Sequence, residues 1–230
     1  MTSQRVDANV DAQPFTLRDC ALITIATGRK AQNLRELHAE LGRVPASSIY
    51  HHFWERLLRA QFDEPEYNND FASWAYHALH DKTLAERLSV ISPTDFADLE
   101  GLRQELLDLI DERLDEKEAA SWVQAEQHFY FQRGQMVIFD SGQSFTTPTD
   151  LIPYLDSLSN GAIYYHFIDA RSRTEQRSND FSIWLSDFGD AYRELAVSLN
   201  SLDPYFSSLK GIRQQVVRIF SAYFKGERHE

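Results

Sequence analysis

Two strings in this chain occur twice. Ser48-Ile49-Tyr50-His51-His52-Phe53 returns as Ala162-Ile163-Tyr164-Tyr165-His166-Phe167, and Asn69-Asp70-Phe71 with Trp74 returns as Asn179-Asp180-Phe181 with Trp184. A recurrence of this kind points to a duplicated module and constrains the fold to one that can be built twice. It also sorts residues. Those present in both strings are candidates for what the module requires, and those present in one cannot be essential to a shared scaffold.

Composition permits this. A chain of 230 residues, 43% hydrophobic and 13% aromatic, can bury two modules of roughly 100 residues each. The formal charge of -12 repels phosphate, which counts against nucleic acid and against an anionic membrane surface as partners. Cys20, the single cysteine, lies in the apolar run Cys20-Ala21-Leu22-Ile23, so it reads as a buried thiol in a reducing compartment. Neither a secretion signal nor a membrane-length apolar run is present, and the expected location is cytoplasmic.

The pattern predicts a mainly α fold: two tandem homologous helical modules in a pseudo-two-fold arrangement, each with at most one short β-strand. Residues 1–14 read as a tail, 15–115 as module one, 116–127 as a helical linker, 128–226 as module two and 227–230 as a closing tail. The candidate strands, Leu22-Ile23-Thr24-Ile25-Ala26 and Met136-Val137-Ile138-Phe139, are short, rich in β-branched residues, and followed by Gly28 and Gly142. Leu34, Leu37 and Leu41 recur at helical spacing in the first half, as Leu151 and Leu155 do in the second. Each module closes on an amphipathic run in which Gly101-Leu102-Arg103-Gln104 matches Gly211-Ile212-Arg213-Gln214. Charged residues from Asp111 to Glu118 extend the first of these runs as a solvated helix.

The residues that could carry chemistry are the recurring pairs His52/Asp70 and His166/Asp180. An imidazole bonded to a carboxylate serves as a general base, as an oriented metal ligand or as a buried structural pair. The structural reading makes Tyr50, His52, Asp70, Trp74, Tyr164, His166, Asp180 and Trp184 a packing signature whose polar groups satisfy each other, with each Asp also suited to cap the helix that follows it. A metal site would enlist His51, His77 and His80, but the matching stretch of the second half holds Tyr165 and no histidine from Trp184 to Asp190, so neither a metal nor a cofactor is assigned. There is no Walker loop, dinucleotide fingerprint or nucleophile elbow, and no catalytic residue is assigned.

Val44 to Phe53 and Leu158 to Phe167 resemble the recognition segment of TetR-type repressors over about ten residues. That resemblance implies a helix-turn-helix regulator, with Arg43, Arg56 and Arg59 or Arg171, Arg173 and Arg177 on phosphates. A longer combination runs from Gly28 and Leu37 through Ile49-Tyr50, His52-Phe53, Asn69-Asp70-Phe71, Trp74, Asp81, Leu84-Ala85 and Leu99 to Leu102-Arg103. It resembles an uncharacterised domain family of bacteria and archaea, and implies membership without an established activity.

These readings converge on a non-catalytic interaction or regulatory protein that engages a protein partner or a small ligand. Trp54, Tyr67, Tyr76, Tyr192 and Tyr205 are the candidate contact aromatics, and Arg171, Arg173 and Arg177 the candidate anion contacts. The alternatives are an enzyme or a ligand- or metal-binding protein using His52/Asp70 or His166/Asp180, and a DNA-binding regulator.

Overall fold

Period-2 alternation is the signal that matters at each strand start: Phe15 and Leu17 in one, Phe129 and Phe131 in the other, place apolar side chains on one face. In a computed structural model, described over residues 12–59, 66–116 and 122–226, both stretches open long strands. The order is β1 (Phe15–Ala31), α1 (Leu34–Leu41), α2 (Ala46–Phe53), α3 (Asp70–His77), α4 (Lys82–Ser89), α5 (Leu99–Glu116) and β2 (Phe129–Phe145). It continues with α6 (Pro148–Leu151), α7 (Asn160–Ile163), a π-helical turn (Tyr164–Asp169), α8 (Ala170–Arg173), α9 (Asp180–Ser186), α10 (Arg193–Asn200) and α11 (Leu209–Gly226).

The strands pair with each other in a two-stranded sheet. Thr27 Oγ1 donates to the Phe131 carbonyl and Ser141 Oγ to the Leu17 carbonyl, each at 2.7 Å, so numbers rise on one strand as they fall on the other: the register is antiparallel. Two strands alone are marginal in water, and the sheet depends on helices for burial.

Those helices form two compact units. The central unit is Leu22–Met136, and the terminal unit joins Met1–Ala21 to Val137–Glu230. In the central unit the inserted strand is the start of β2, with Phe129 and Phe131 buried beside α1–α5, whose core includes Leu34, Leu37, Leu41, Leu84, Leu102, Leu106 and Ile110. In the terminal unit the inserted strand is the start of β1, with Phe15, Leu17 and Cys20 buried with Leu151, Leu155, Leu195, Ile212, Val216 and Phe220. Each strand therefore supplies one unit with its first half and the other unit with its second. The later halves are the outer ones: residues 137–144 are exposed throughout.

This overturns the expectation of a mainly α chain of two tandem helical modules in pseudo-two-fold arrangement. The protein is about 58% helix and 17% strand, an α+β mix, and its strands are 17 residues each rather than short. The reason lies at the glycines. Gly28 and Gly142 have φ of +77° and +74°, left-handed values that glycine adopts freely. There the strand passes through a left-handed residue and runs on to Ala31 and Phe145 instead of stopping. Of the expected linker, α5 ends at Glu116, residues 117–121 lie outside the described part, and 122–127 hold no regular helix. The expected tails fall largely outside it too, at 1–11 and 227–230. No helix among the described residues is long and apolar enough to cross a membrane.

Close approach of strand and helix fixes one further glycine. A Cβ on Gly161 would lie 2.1 Å from Asp19 Oδ1 and 2.3 Å from the Cys20 carbonyl, against the backbone of β1. Gly161→Ala is expected to destabilise the protein by about 2–3 kcal/mol, as overpacking against backbone does. Gly101→Ala in α5, whose Cβ would meet nothing nearer than 3.6 Å, should stabilise it by up to about 1 kcal/mol in the same denaturant titration. The strand exchange is checked with fragments. Residues 22–136 hold the central unit and should melt cooperatively when expressed alone, whereas 15–127, which lacks Phe129 and Phe131, should not fold.

Candidate functional site

The Asn-Asp-Phe string divides its labour by position. Asn69 and Asn179 are the N-caps, their side chains accepting from Ala72 N at 2.8 Å and Ser182 N at 2.9 Å. Asp70 and Asp180, expected as caps, sit one residue further on and are left free to pair with histidine. Phe71 stacks on Phe129 at 4.9 Å between ring centres, and Phe181 on Phe15 at 5.1 Å. Trp74 Nε1 donates to the Gln127 carbonyl at 2.7 Å, and Trp184 Nε1 to the Gln13 carbonyl at 3.0 Å. In both strings the tryptophan ties the segment just before the strand, and the phenylalanine packs on the strand's first residue.

The histidines complete this. The Gln132 amide of β2 donates to His52 Nε2 at 3.1 Å, and the Arg18 amide of β1 donates to His166 Nε2 at 2.9 Å. A backbone N–H can only donate, so each Nε2 is the bare acceptor and each Nδ1 carries the proton. That proton goes to Asp70 Oδ2 at 2.8 Å and to Asp180 Oδ2 at 2.7 Å. Both ring nitrogens of both histidines are thus occupied, leaving no lone pair for a substrate proton or a metal.

Arginines stand behind the carboxylates. Arg59 Nη2 lies 3.0 Å from Asp70 Oδ2, and Arg56 Nε lies 3.1 Å from Asp70 Oδ1. In the terminal unit Arg173 meets both Asp180 and Asp169, and its guanidinium stands 4.2 Å from the Tyr165 ring centre. Burial pushes the Asp70 pKa up, but the His52 hydrogen bond and the His52, Arg59 and Arg56 charges outweigh it and hold the carboxyl below its ordinary value. For His52 burial is the leading effect and lowers the pKa; Asp70 opposes it, while His51 and Arg59 add to it.

The acid and the arginine were legible, though the expectations above do not include them as a pair. Counting from the shared histidine, Glu55 and Arg59 follow His52 at the same intervals as Asp169 and Arg173 follow His166. His51 takes part only in the central unit: its Nδ1 donates to Glu55 Oε2 at 2.7 Å, and its Nε2 accepts from Arg59 at 2.8 Å.

The remaining candidates scatter. His77 faces Glu66 at 3.6 Å and His80 faces Glu126 at 3.0 Å, so they join neither His51 nor each other. No group of three or more His, Cys, Asp or Glu among the described residues is placed to hold a metal ion. Arg171 turns to the carbonyls of Asn200 and Leu202 at the end of α10 and packs over Phe167. Burial lowers its pKa against the pull of Asp203. Arg177 is exposed at a φ of +50°. Trp54, Tyr67 and Tyr205 are core residues, and Tyr76 and Tyr192 are half-buried. Tyr164 is buried and Tyr50 half-buried. Ser48 to Phe53, apart from Tyr50, are buried, as are Gly161 to Ile168, which removes the exposed face that a recognition helix needs.

One opening adjoins the signature. In the central unit a groove of about 380 Å³ exposes the edges of His52 and Asp70 beside Arg59, His77, His128 and Tyr130. It is at the lower end of the size range of small-molecule sites.

Comparison with known proteins gives a family and a fold. The model of a Family of unknown function (DUF5752) matches residues 12–221. A solved structure described as that of OrfY from Thermoproteus tenax is 27% identical, with a TM-score of 0.76 over 94% of this chain and 96% of that one. No curated protein sequence matches.

The depressed His52 pKa sets an acid response. The unfolded imidazole takes its proton near pH 6.5 and the folded one resists it, so this stabilisation is present above about pH 6.5 and is lost as the pH falls below it. Stability should fall by up to ~1.4 kcal/mol per pH unit there, before Asp70 adds its own loss below the ordinary carboxylate range. Urea titrations from pH 7.5 to 4.5 should show this slope reduced in His52→Gln; an unchanged slope would assign it to other groups.

Proposed function

The chain belongs to this family of unknown function, and from that premise we propose that it acts by binding, as a non-catalytic interaction or regulatory protein whose partner is a protein or a small ligand. The observation that carries this is the use of all four ring nitrogens of His52 and His166 in bonds to strand amides and carboxylates. A general base needs a free lone pair within reach of a substrate proton, and neither pair offers one. The recurrence of these bonds supports reading the repeated strings as an internal duplication of an α+β element that lends its strand outward.

Two features supply binding surface. The groove beside His52 suits a small ligand. The exposed apolar residues Val137, Ile138 and Phe139, at 44–47% accessibility on the outer part of β2, suit a protein partner. A reducing, cytoplasmic setting belongs to the same reading, supported by the one buried free thiol at Cys20.

The test separates scaffold from chemistry. His52→Phe keeps an aromatic ring but strands the Gln132 amide and removes the imidazole from Asp70, and should lower Tm by roughly 6–12 °C, the equivalent of about 3 kcal/mol. Ligands found by thermal-shift screening of the wild type should still bind folded His166→Phe, whose changed residue does not line the groove, well below its Tm. Loss of a turnover, shown first by the wild type, from the folded His52→Phe or His166→Phe protein would contradict the non-catalytic reading.

A further inference from the structure

The groove of the central unit differs from the signature in what it leaves uncommitted. Arg59 gives Nη2 to His51 and Asp70, while among the described residues its Nε and Nη1 have no partner. His77, with its side chain 58% exposed, touches only Glu66, at 3.6 Å, among charged groups. His128 leans on Tyr130 at 5.8 Å between ring centres, and Tyr130 is itself 60% exposed. Gln127 and Ser73 add side-chain donors along the same wall. The one carboxylate in the lining, Asp70, meets two guanidiniums, Arg56 and Arg59, so its single negative charge leaves one of the two positive charges unbalanced by it. In a chain of net charge -12, this wall therefore gathers a guanidinium and several neutral groups able to donate hydrogen bonds.

These donors are also private to one half. The residue three after Trp74 is His77, and three after Trp184 it is Asp187; His128 precedes Phe129, whereas Pro14 precedes Phe15. The contacts that anchor the strand use Trp74 and Phe129 and do not involve these histidines, although the His77 ring also meets Tyr76 edge-on at 5.0 Å.

We infer that this groove binds a small organic anion, with a phosphate or carboxylate held by Arg59, His77 and His128 and a flat organic part lying on Tyr130. Arg59 supplies the fixed positive charge and the N–H groups of Nε and Nη1, the imidazoles each offer an N–H, and the exposed phenol ring offers an apolar face. The volume of about 380 Å³ accommodates a ring bearing one such group. The inference rests on the binding function proposed above and adds the class of ligand.

Phenyl phosphate, inorganic phosphate and benzylammonium are the probes, each titrated into the ¹⁵N-labelled full chain and followed by NMR. Phenyl phosphate is expected to shift the amides of Ser73, His77, Gln127, His128 and Tyr130, with inorganic phosphate binding more weakly at the same amides and benzylammonium not binding there. The double variant His77→Gln/His128→Gln keeps the signature bonds, so its Tm should be unchanged while phenyl phosphate binds about tenfold more weakly. The inference is overturned by a silent groove at about 10 mM phenyl phosphate, a concentration that would reveal even millimolar affinity. It is equally overturned by an equal response to benzylammonium, by equal binding of the two phosphates, or by undiminished affinity in the double variant. None of these results bears on the His52→Phe experiment, so a failed groove and a failed binding function are distinguishable.

Discussion

A strand buried at the margin of a two-stranded sheet has one edge without a neighbouring strand, and the backbone groups on that edge need partners before helices can cover them. An orphaned amide or carbonyl costs about 1–3 kcal/mol, enough to undo the burial of a phenylalanine. The central unit meets this at Gln132. Its N–H is taken by His52 Nε2 and its carbonyl by Ser48 Oγ at 2.7 Å. Ser48 and His52 are four residues apart on α2 and so share a face, which lets one helix do for this residue what a third strand would do. The terminal unit repeats the histidine bond to Arg18 and replaces the serine contact by the close approach of Gly161 to Cys20.

The other signature residues support that bond. Asp70 and Asp180 fix the proton on Nδ1, without which Nε2 could not accept, and Arg59 and Arg173 pair with those carboxylates. Phe71 and Phe181 set the depth of the strand, and the Trp74 and Trp184 indoles hold the chain just ahead of it. A His–carboxylate pair in an aromatic corner has the composition of a catalytic dyad. Here its polarity is spent on the backbone. What remains for recognition lies outside the pair, in groups that the fold does not consume.

The sequence showed the signature plainly because its residues are rare types at fixed intervals that occur twice. The pairing of His52 with Asp70 and of His166 with Asp180 could be read from recurrence. That the caps are Asn69 and Asn179 could not, since Asn and Asp serve equally well at that position. The strands were misjudged for a physical reason. A glycine after an apolar run usually ends it, whereas here Thr27 and Ser141, each next to such a glycine, bond across to the partner strand and the strand continues. Phe15 and Leu17 alternate as a strand should, but a lone strand has no local partner in sequence. Its insertion beside His166 and Trp184 is a long-range pairing that periodicity does not encode. The Glu55/Arg59 and Asp169/Arg173 intervals were visible, yet charged residues at helical spacing read as solvated surface until burial is known.

The central claim is that each signature histidine is a neutral acceptor for a strand amide, and the tautomer of the ring tests it directly. Long-range ¹H–¹⁵N NMR of the imidazoles at neutral pH should find Nδ1 protonated and Nε2 bare in both His52 and His166, with a hydrogen-bond coupling from the Gln132 and Arg18 amides to those Nε2 atoms. A protonated Nε2 in either ring, as the other neutral tautomer or as imidazolium, would contradict the account, because a nitrogen that carries a proton cannot accept one from the strand.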